Sequence, residues 1–332
     1  MARMTSILEP SPPPPAAPPR AGRLAAMALG VLAISTSSVL IRLAEAPALV
    51  VGGWRLVLAW LVLTPFGLPA LRREAGRLDR RERTLLALSA VALAAHFGTW
   101  ITSLSYTTVA SSVILVTTTP IYVALLSWLL WREPIGRGRA LAIAVAMVGS
   151  VVVSYGDLAV SGEALLGDLL AVAGALAMTA HLLIGRAIRR RLSTLAYVWP
   201  TYGLAGALLL GLCLVTGQPL VGYSIETYGV LLALAVIPQV LGHSVFNWAL
   251  AHVSPLLITL SILGEPLGAS ALAYLVLRES PSPAVWWGGP LILAGIVMAS
   301  REEARLARRA RRPAAPPSPS AVAATLGEEN RP

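Results

Sequence analysis

The chain has 332 residues, 56% hydrophobic and 13% charged, with a mean hydropathy of +0.72. Soluble domains carry roughly a quarter charged residues, so whole-chain disorder, collagen-like structure and nucleic-acid binding are excluded. The net charge of +10 comes from Arg alone, since Lys is absent, and the single cysteine, Cys213, rules out an intramolecular disulfide and a zinc or iron–sulfur cluster.

Residues 1–22 are a Pro-rich polar lead that cannot bury enough apolar area to fold and is expected to be disordered. About ten apolar stretches follow, near 24–42, 47–69, 84–106, 108–131, 139–155, 167–187, 195–215, 228–250, 255–277 and 284–300. Each is long enough to cross a ~30 Å hydrocarbon layer as a helix. The first has a long preceding segment and further hydrophobic stretches behind it, and reads as a retained helix rather than a secretory signal. Residues 301–332 form a C-terminal tail, basic and then Pro/Ala-rich and disordered. With the N-terminus inside, only Arg42 and Arg278 fall outside and Arg55 falls within a span. Every other Arg lies in a cytoplasmic segment, which predicts ten spans with both termini cytoplasmic.

A shift of 146 residues overlays one half on the other. Pro120 falls on Pro266, Arg132 on Arg278, Glu133 on Glu279, Gly149 on Gly295 and Leu104 on Leu250; a shift of 145 brings Trp54 onto Trp199. These matches argue for a duplicated five-helix unit, 23–156 and 164–300. Five is odd, so the second copy runs through the membrane in the opposite sense. The expected fold is therefore an all-α polytopic membrane protein of ten transmembrane helices in two inverted repeats, an architecture of alternating-access carriers.

The motifs His96-Phe97-Gly98-Thr99-Trp100, Ser103-Leu104-Ser105-Tyr106-Thr107, Thr119-Pro120 and Trp131-Arg132-Glu133-Pro134 resemble the first half of an EamA-type carrier of the drug/metabolite transporter superfamily. Gly167-Asp168-Leu169-Leu170, Gly264-Glu265-Pro266 and Leu277-Arg278-Glu279 repeat the pattern in the second half. Pro134 and Ser280 depart from it, standing where such carriers usually have an aliphatic residue. The resemblance covers about residues 23–300. It implies a ten-helix bundle around a central substrate cavity and movement of small metabolites, without identifying one.

The polar residues inside the spans are the candidate site. Glu265 lies ten residues into the ninth span, about 15 Å deep and near the midplane. A carboxylate there costs roughly 2.5–3.5 kcal/mol unless it faces a cavity or a partner. It could carry a proton, or it could be a paired acid holding a helix broken at Pro266. Arg55, eight residues into the second span, could snorkel, bind an anionic substrate group or pair with Glu265. Gln239, His243 and Asn247 recur at spacings of four and so share one face of the eighth span, as do His96 and Trp100 in the third. His181 is isolated and reads as packing. Arg55, His96, Trp100, His243, Asn247 and Glu265 are the candidate cavity residues, and Pro120 and Pro266 the candidate hinges.

No phosphate-binding Gly-Lys-Ser/Thr loop, nucleophile elbow or His-Glu-x-x-His is present. The reading is a secondary-active exporter of a small organic metabolite, such as an amino acid or related compound, in a bacterial inner membrane. A proton is the candidate coupling ion; no metal, cofactor or nucleic acid is expected, and the chain is a monomer or homodimer. The competing class, a membrane-embedded enzyme acting on a lipid-linked substrate, needs paired acids or a His cluster at one membrane face, where this chain has mainly Arg.

Overall fold

A computed structural model describes residues 19–103, 105–107, 112, 115–133, 135–154, 164–189, 191–272, 274–275 and 283–310. Among these residues every regular element is helical: α1 (Arg20–Leu43), α2 (Ala48–Glu74), α3 (Arg80–Ser103), α4 (Thr119–Trp131), α5 (Arg137–Ser154), α6 (Ala164–Ile188), α7 (Thr194–Val215), α8 (Ile225–Ala249), α9 (Pro255–Ile262), α10 (Glu265–Leu272) and α11 (Pro283–Ala310). Of the segments expected to be disordered, 1–22 and 301–332, residues 1–18 and 311–332 lie outside the described residues, as do the repeat residues Leu104, Arg278 and Glu279, while α1 begins at Arg20, within the first of them.

Among the described residues six helices, α1, α2, α3, α6, α7 and α8, are long and apolar enough to cross a membrane. The burial pattern fits a lipid solvent. Phe66, Leu165 and Leu214 are exposed on the outside, while Arg55, Gln239 and Asn247 are buried inside.

Three elements differ from expectation. The fourth stretch is interrupted by a turn at Thr117-Thr118, between the helical residues 115–116 and α4: Thr118 and Thr119 turn their hydroxyls onto the carbonyls of Leu115 and Val116, and Pro120 then supplies a helix start. The ninth stretch splits at Leu263-Gly264 into α9 and α10. The last helix runs on to Ala310, ten residues into the expected tail, because that segment is rich in the helix formers Ala, Glu, Arg and Leu and carries a Glu302–Arg305 pair.

Helices of residues 20–154 pack on helices of residues 164–310: α1 on α8, α2 on α7, α3 on α6, α4 on α9 and α5 on α11. Missing side chains set the approach of α2 and α7. A Cβ on Gly53 would lie 2.4 Å from Leu210, one on Gly67 2.4 Å from Trp199, one on Gly203 2.7 Å from Trp60 and one on Gly206 2.7 Å from Val57. Rising numbers on α2 meet falling numbers on α7, so the pair is antiparallel. Trp60 and Trp199 stack at 5.8 Å between them. The α5–α11 contact works in the same way: Gly149 lies against Ile292 and Gly295 against Ala146. Small residues that let backbones approach are the usual device for joining helices in lipid, where dispersion must replace the hydrophobic effect.

Candidate functional site

The site forms where these pairs converge. A cavity of about 80 Å³ is lined from α1 (Ser37), α2 (Arg55), α3 (His96, Phe97, Trp100), the start of α4 (Thr117, Thr119, Pro120), α8 (His243) and the broken ninth stretch (Thr259, Glu265). Arg55, His96, Trp100, His243, Glu265 and Pro120 are thus brought to one cavity. Asn247 and Pro266 are not on it.

Arg55 is 1% exposed. Its Nε donates to Gln239 Oε1 at 2.8 Å and its Nη1 to Ser37 Oγ at 3.3 Å. The guanidinium carbon sits 4.8 Å from the Phe97 ring centroid, a cation–π contact. His96 donates its Nδ1 hydrogen to the Gly174 carbonyl at 3.0 Å, which fixes the tautomer, and stacks on Trp100 at 5.8 Å. His243 meets the Phe97 ring edge-on.

Glu265 is the first residue of α10, where the positive end of the helix dipole favours an anion. Ser35 anchors this turn by donating to the Glu265 carbonyl at 3.1 Å. Gly268 leaves room for that approach, since a Cβ there would stand 2.2 Å from Ser35 Oγ. Pro120 and Pro266 each occupy the second position of a helix that follows a break, so they start half-helices rather than kink whole ones.

The face of α8 departs from the expected spacing. Ala235–His243 winds as a π-helix, with Pro238 inside it. A π turn takes more residues than an α turn, so positions four apart drift around the axis. Gln239 therefore points to Arg55 and His243 to the cavity. Asn247 donates instead to the His243 carbonyl and to Tyr202 Oη. His181 bonds Ser89 and stacks on Tyr197, away from the cavity.

The Arg-rich end carries polar cross-ties between the helices. Arg186 grips Glu133 through both carboxylate oxygens, at 2.6 and 3.2 Å. Glu303 of α11 accepts from Ser254 N and Oγ at the start of α9. Glu74 accepts from Ser193 N, and Glu82 pairs with Arg191. Arg189 reaches the Asn247 carbonyl and Thr194; burial lowers its pKa to about 10, which leaves it charged at neutral pH.

Sequence reasoning missed Phe97, Ser37 and Thr119 as wall residues. Thr119 was within reach of it, because Thr119 and Glu265 are separated by the 146-residue shift.

Buried polar groups around a cavity, enclosed by helices whose outer surface is apolar, fit a multi-pass membrane transporter. A sequence profile of the EamA-like transporter family matches twice, over residues 22–155 and 165–301. The chain belongs to the EamA-like transporter family. It is 28% identical over 278 residues to an uncharacterized transporter of Archaeoglobus fulgidus, covering 84% of this chain and 96% of the relative. A second uncharacterized transporter of that organism is 25% identical over 224 residues, covering 66% and 76%. A solved crystal structure shares the fold, with a TM-score of 0.74 and 18% identity, over 87% of this chain and 99% of the other.

Proposed function

We propose that the protein is a secondary-active exporter of a small organic metabolite, such as an amino acid or related compound, working by alternating access. The observation that carries this reading is the cavity itself: it holds a cation, a carboxylate and two imidazoles near the middle of the bundle and is separated from the Arg-rich end by the cross-ties. In this state the cavity belongs to the opposite side of the membrane. Breaking the cross-ties while packing the other end would deliver it to the cytoplasm.

Ten crossings in two inverted five-helix repeats underlie the motion. The reciprocal contacts support this arrangement. Gly149 meets Ile292 and Gly295 meets Ala146, and a shift of 146 exchanges the two contacts. Pairing α2 with α7, and exchanging the α1–α8 pair with the α3–α6 pair, is what a two-fold axis in the membrane plane requires. The Arg-rich end is cytoplasmic, with both termini on that side, in a bacterial inner membrane. The functional unit is a monomer or homodimer. Pro120 and Pro266 let the half-helices α4 and α10 move.

Glu265 is the proton-carrying group. Full-length protein in proteoliposomes should exchange at least one metabolite of a labelled panel, faster with an imposed pH gradient. Glu265→Gln should abolish the response to the gradient. Equal proton-driven flux by Glu265→Gln removes the coupling role, and absence of flux for every metabolite removes the transport reading.

A further inference from the structure

We propose that Arg55, oriented by Gln239 from the π segment of α8, is the receptor for a single carboxylate on the transported molecule. The inference rests on the transport reading above and names the chemistry of its substrate.

The argument begins with donors. A guanidinium has five N–H groups. Gln239 takes the one on Nε and Ser37 takes one on Nη1. Nη2 is buried with no protein partner, and among the described residues Arg55 forms no ion pair. Burying a cation this way is costly unless an anion completes it. Trp100 Nε1, which lines the cavity, is also buried without a protein partner. Both groups on the cavity are donors, so the missing complement is an acceptor.

Three features narrow the acceptor. The guanidinium edge matches the two oxygens of a carboxylate. Arg55 supplies one positive charge, which a single carboxylate neutralises when Glu265, on the same cavity, carries its proton. A dianion such as phosphate would add surplus negative charge in a site of low dielectric. The volume of about 80 Å³ is roughly half that of a cavity that holds benzene, which fits a group the size of a carboxylate rather than an aromatic ring. Thr119, at the start of α4, adds the positive end of a helix dipole.

Gln239 is a positioning residue. Its amide oxygen fixes the Nε edge and leaves the remaining donors for the ligand. A carboxylate at the same place would keep the geometry but neutralise the guanidinium.

The test uses purified full-length protein and acid–amide pairs: glycine and glycinamide, L-alanine and L-alaninamide, lactate and lactamide, with inorganic phosphate as the tetrahedral anion. Acids should raise the melting temperature in a saturable way, whereas the paired amides and phosphate should not. Gln239→Glu should remain folded and weaken acid binding about tenfold or more, erasing the discrimination between acid and amide. Arg55→Gln should do the same. The proposal falls if no acid stabilises the protein, if an amide matches its acid, or if Gln239→Glu binds acids as well as the parent does. Acid binding without flux in liposomes would sink the transport reading and leave this subsite standing. Flux of metabolites with no preference for acids would do the reverse.

Discussion

Gly67 and Gly211 lie in the same antiparallel helix pair and have opposite surroundings. A methyl group on Gly67 would press into the Trp199 ring, whereas one on Gly211 would meet nothing within 4 Å. Gly67→Ala is expected to cost about 1–3 kcal/mol as overpacking and to lower the melting temperature followed by tryptophan fluorescence. Gly211→Ala should leave it level or slightly higher, because alanine is the better helix former. Equal behaviour of the two variants would contradict the close approach of α2 and α7. At this scale the sequence was readable wherever chemistry was out of place. Arg55, His96, His243 and Glu265 stand out because lipid-crossing segments rarely hold such groups, and all four reach the cavity wall. Phe97 and Ser37 have no such contrast with their neighbours, so nothing marked them. Asn247 was placed with the cavity by a spacing of four, but its amide turns to the His243 carbonyl and to Tyr202 instead.

At the scale of elements, the departures from a plain ten-helix reading cluster around the site. The fourth stretch turns at Thr117-Thr118 before α4, the ninth breaks before Glu265, and α8 widens into a π segment at Gln239 and His243. Prolines announced the first two. No residue pattern announces a π turn, which depends on where neighbouring helices press. The α1–α10 contact is sensitive for this reason. Gly268→Ala would drive a methyl into Ser35 and push away the turn that carries Glu265. Flux should fall several-fold with little change in expression; flux equal to the parent's would show that the contact can relax. The cross-ties make a separate prediction. The Glu133–Arg186 pair is partly exposed, so its loss should be worth about 0.2–1 kcal/mol, or up to roughly a fivefold shift between conformations. With Cys213 replaced by Ser, a cysteine at buried Ser127, beside Glu133, reports that end. Its labelling from the cytoplasmic side should rise two- to fivefold in Glu133→Gln. An unchanged rate would mean that other ties keep the end shut.

At the scale of the whole molecule, α2 and α7 fix which ends lie together. Glu74 meets Ser193 at one end, and Trp54 donates to the Leu220 carbonyl at the other. Single cysteines at Gly76 and Val221, both exposed, should therefore label from opposite sides of the membrane, Gly76 from the cytoplasm. Labelling of both from one side would overturn the topology. That the chain is built of apolar helices of membrane-crossing length was legible because lipid imposes length. The partner of each helix was not, since it depends on shape complementarity between surfaces far apart in the chain.

That partner choice bears on biogenesis. α1 to α5 leave the ribosome with few of their eventual neighbours available, because the surfaces that receive them are carried by α6 to α11. The early helices must wait in the bilayer as loosely associated, membrane-threaded segments until translation is nearly complete. A nascent chain arrested near residue 160 should therefore remain protease-sensitive and be cleared quickly. Co-translating the two fragments from separate messages should restore a resistant particle, because each supplies the docking surfaces that the other lacks.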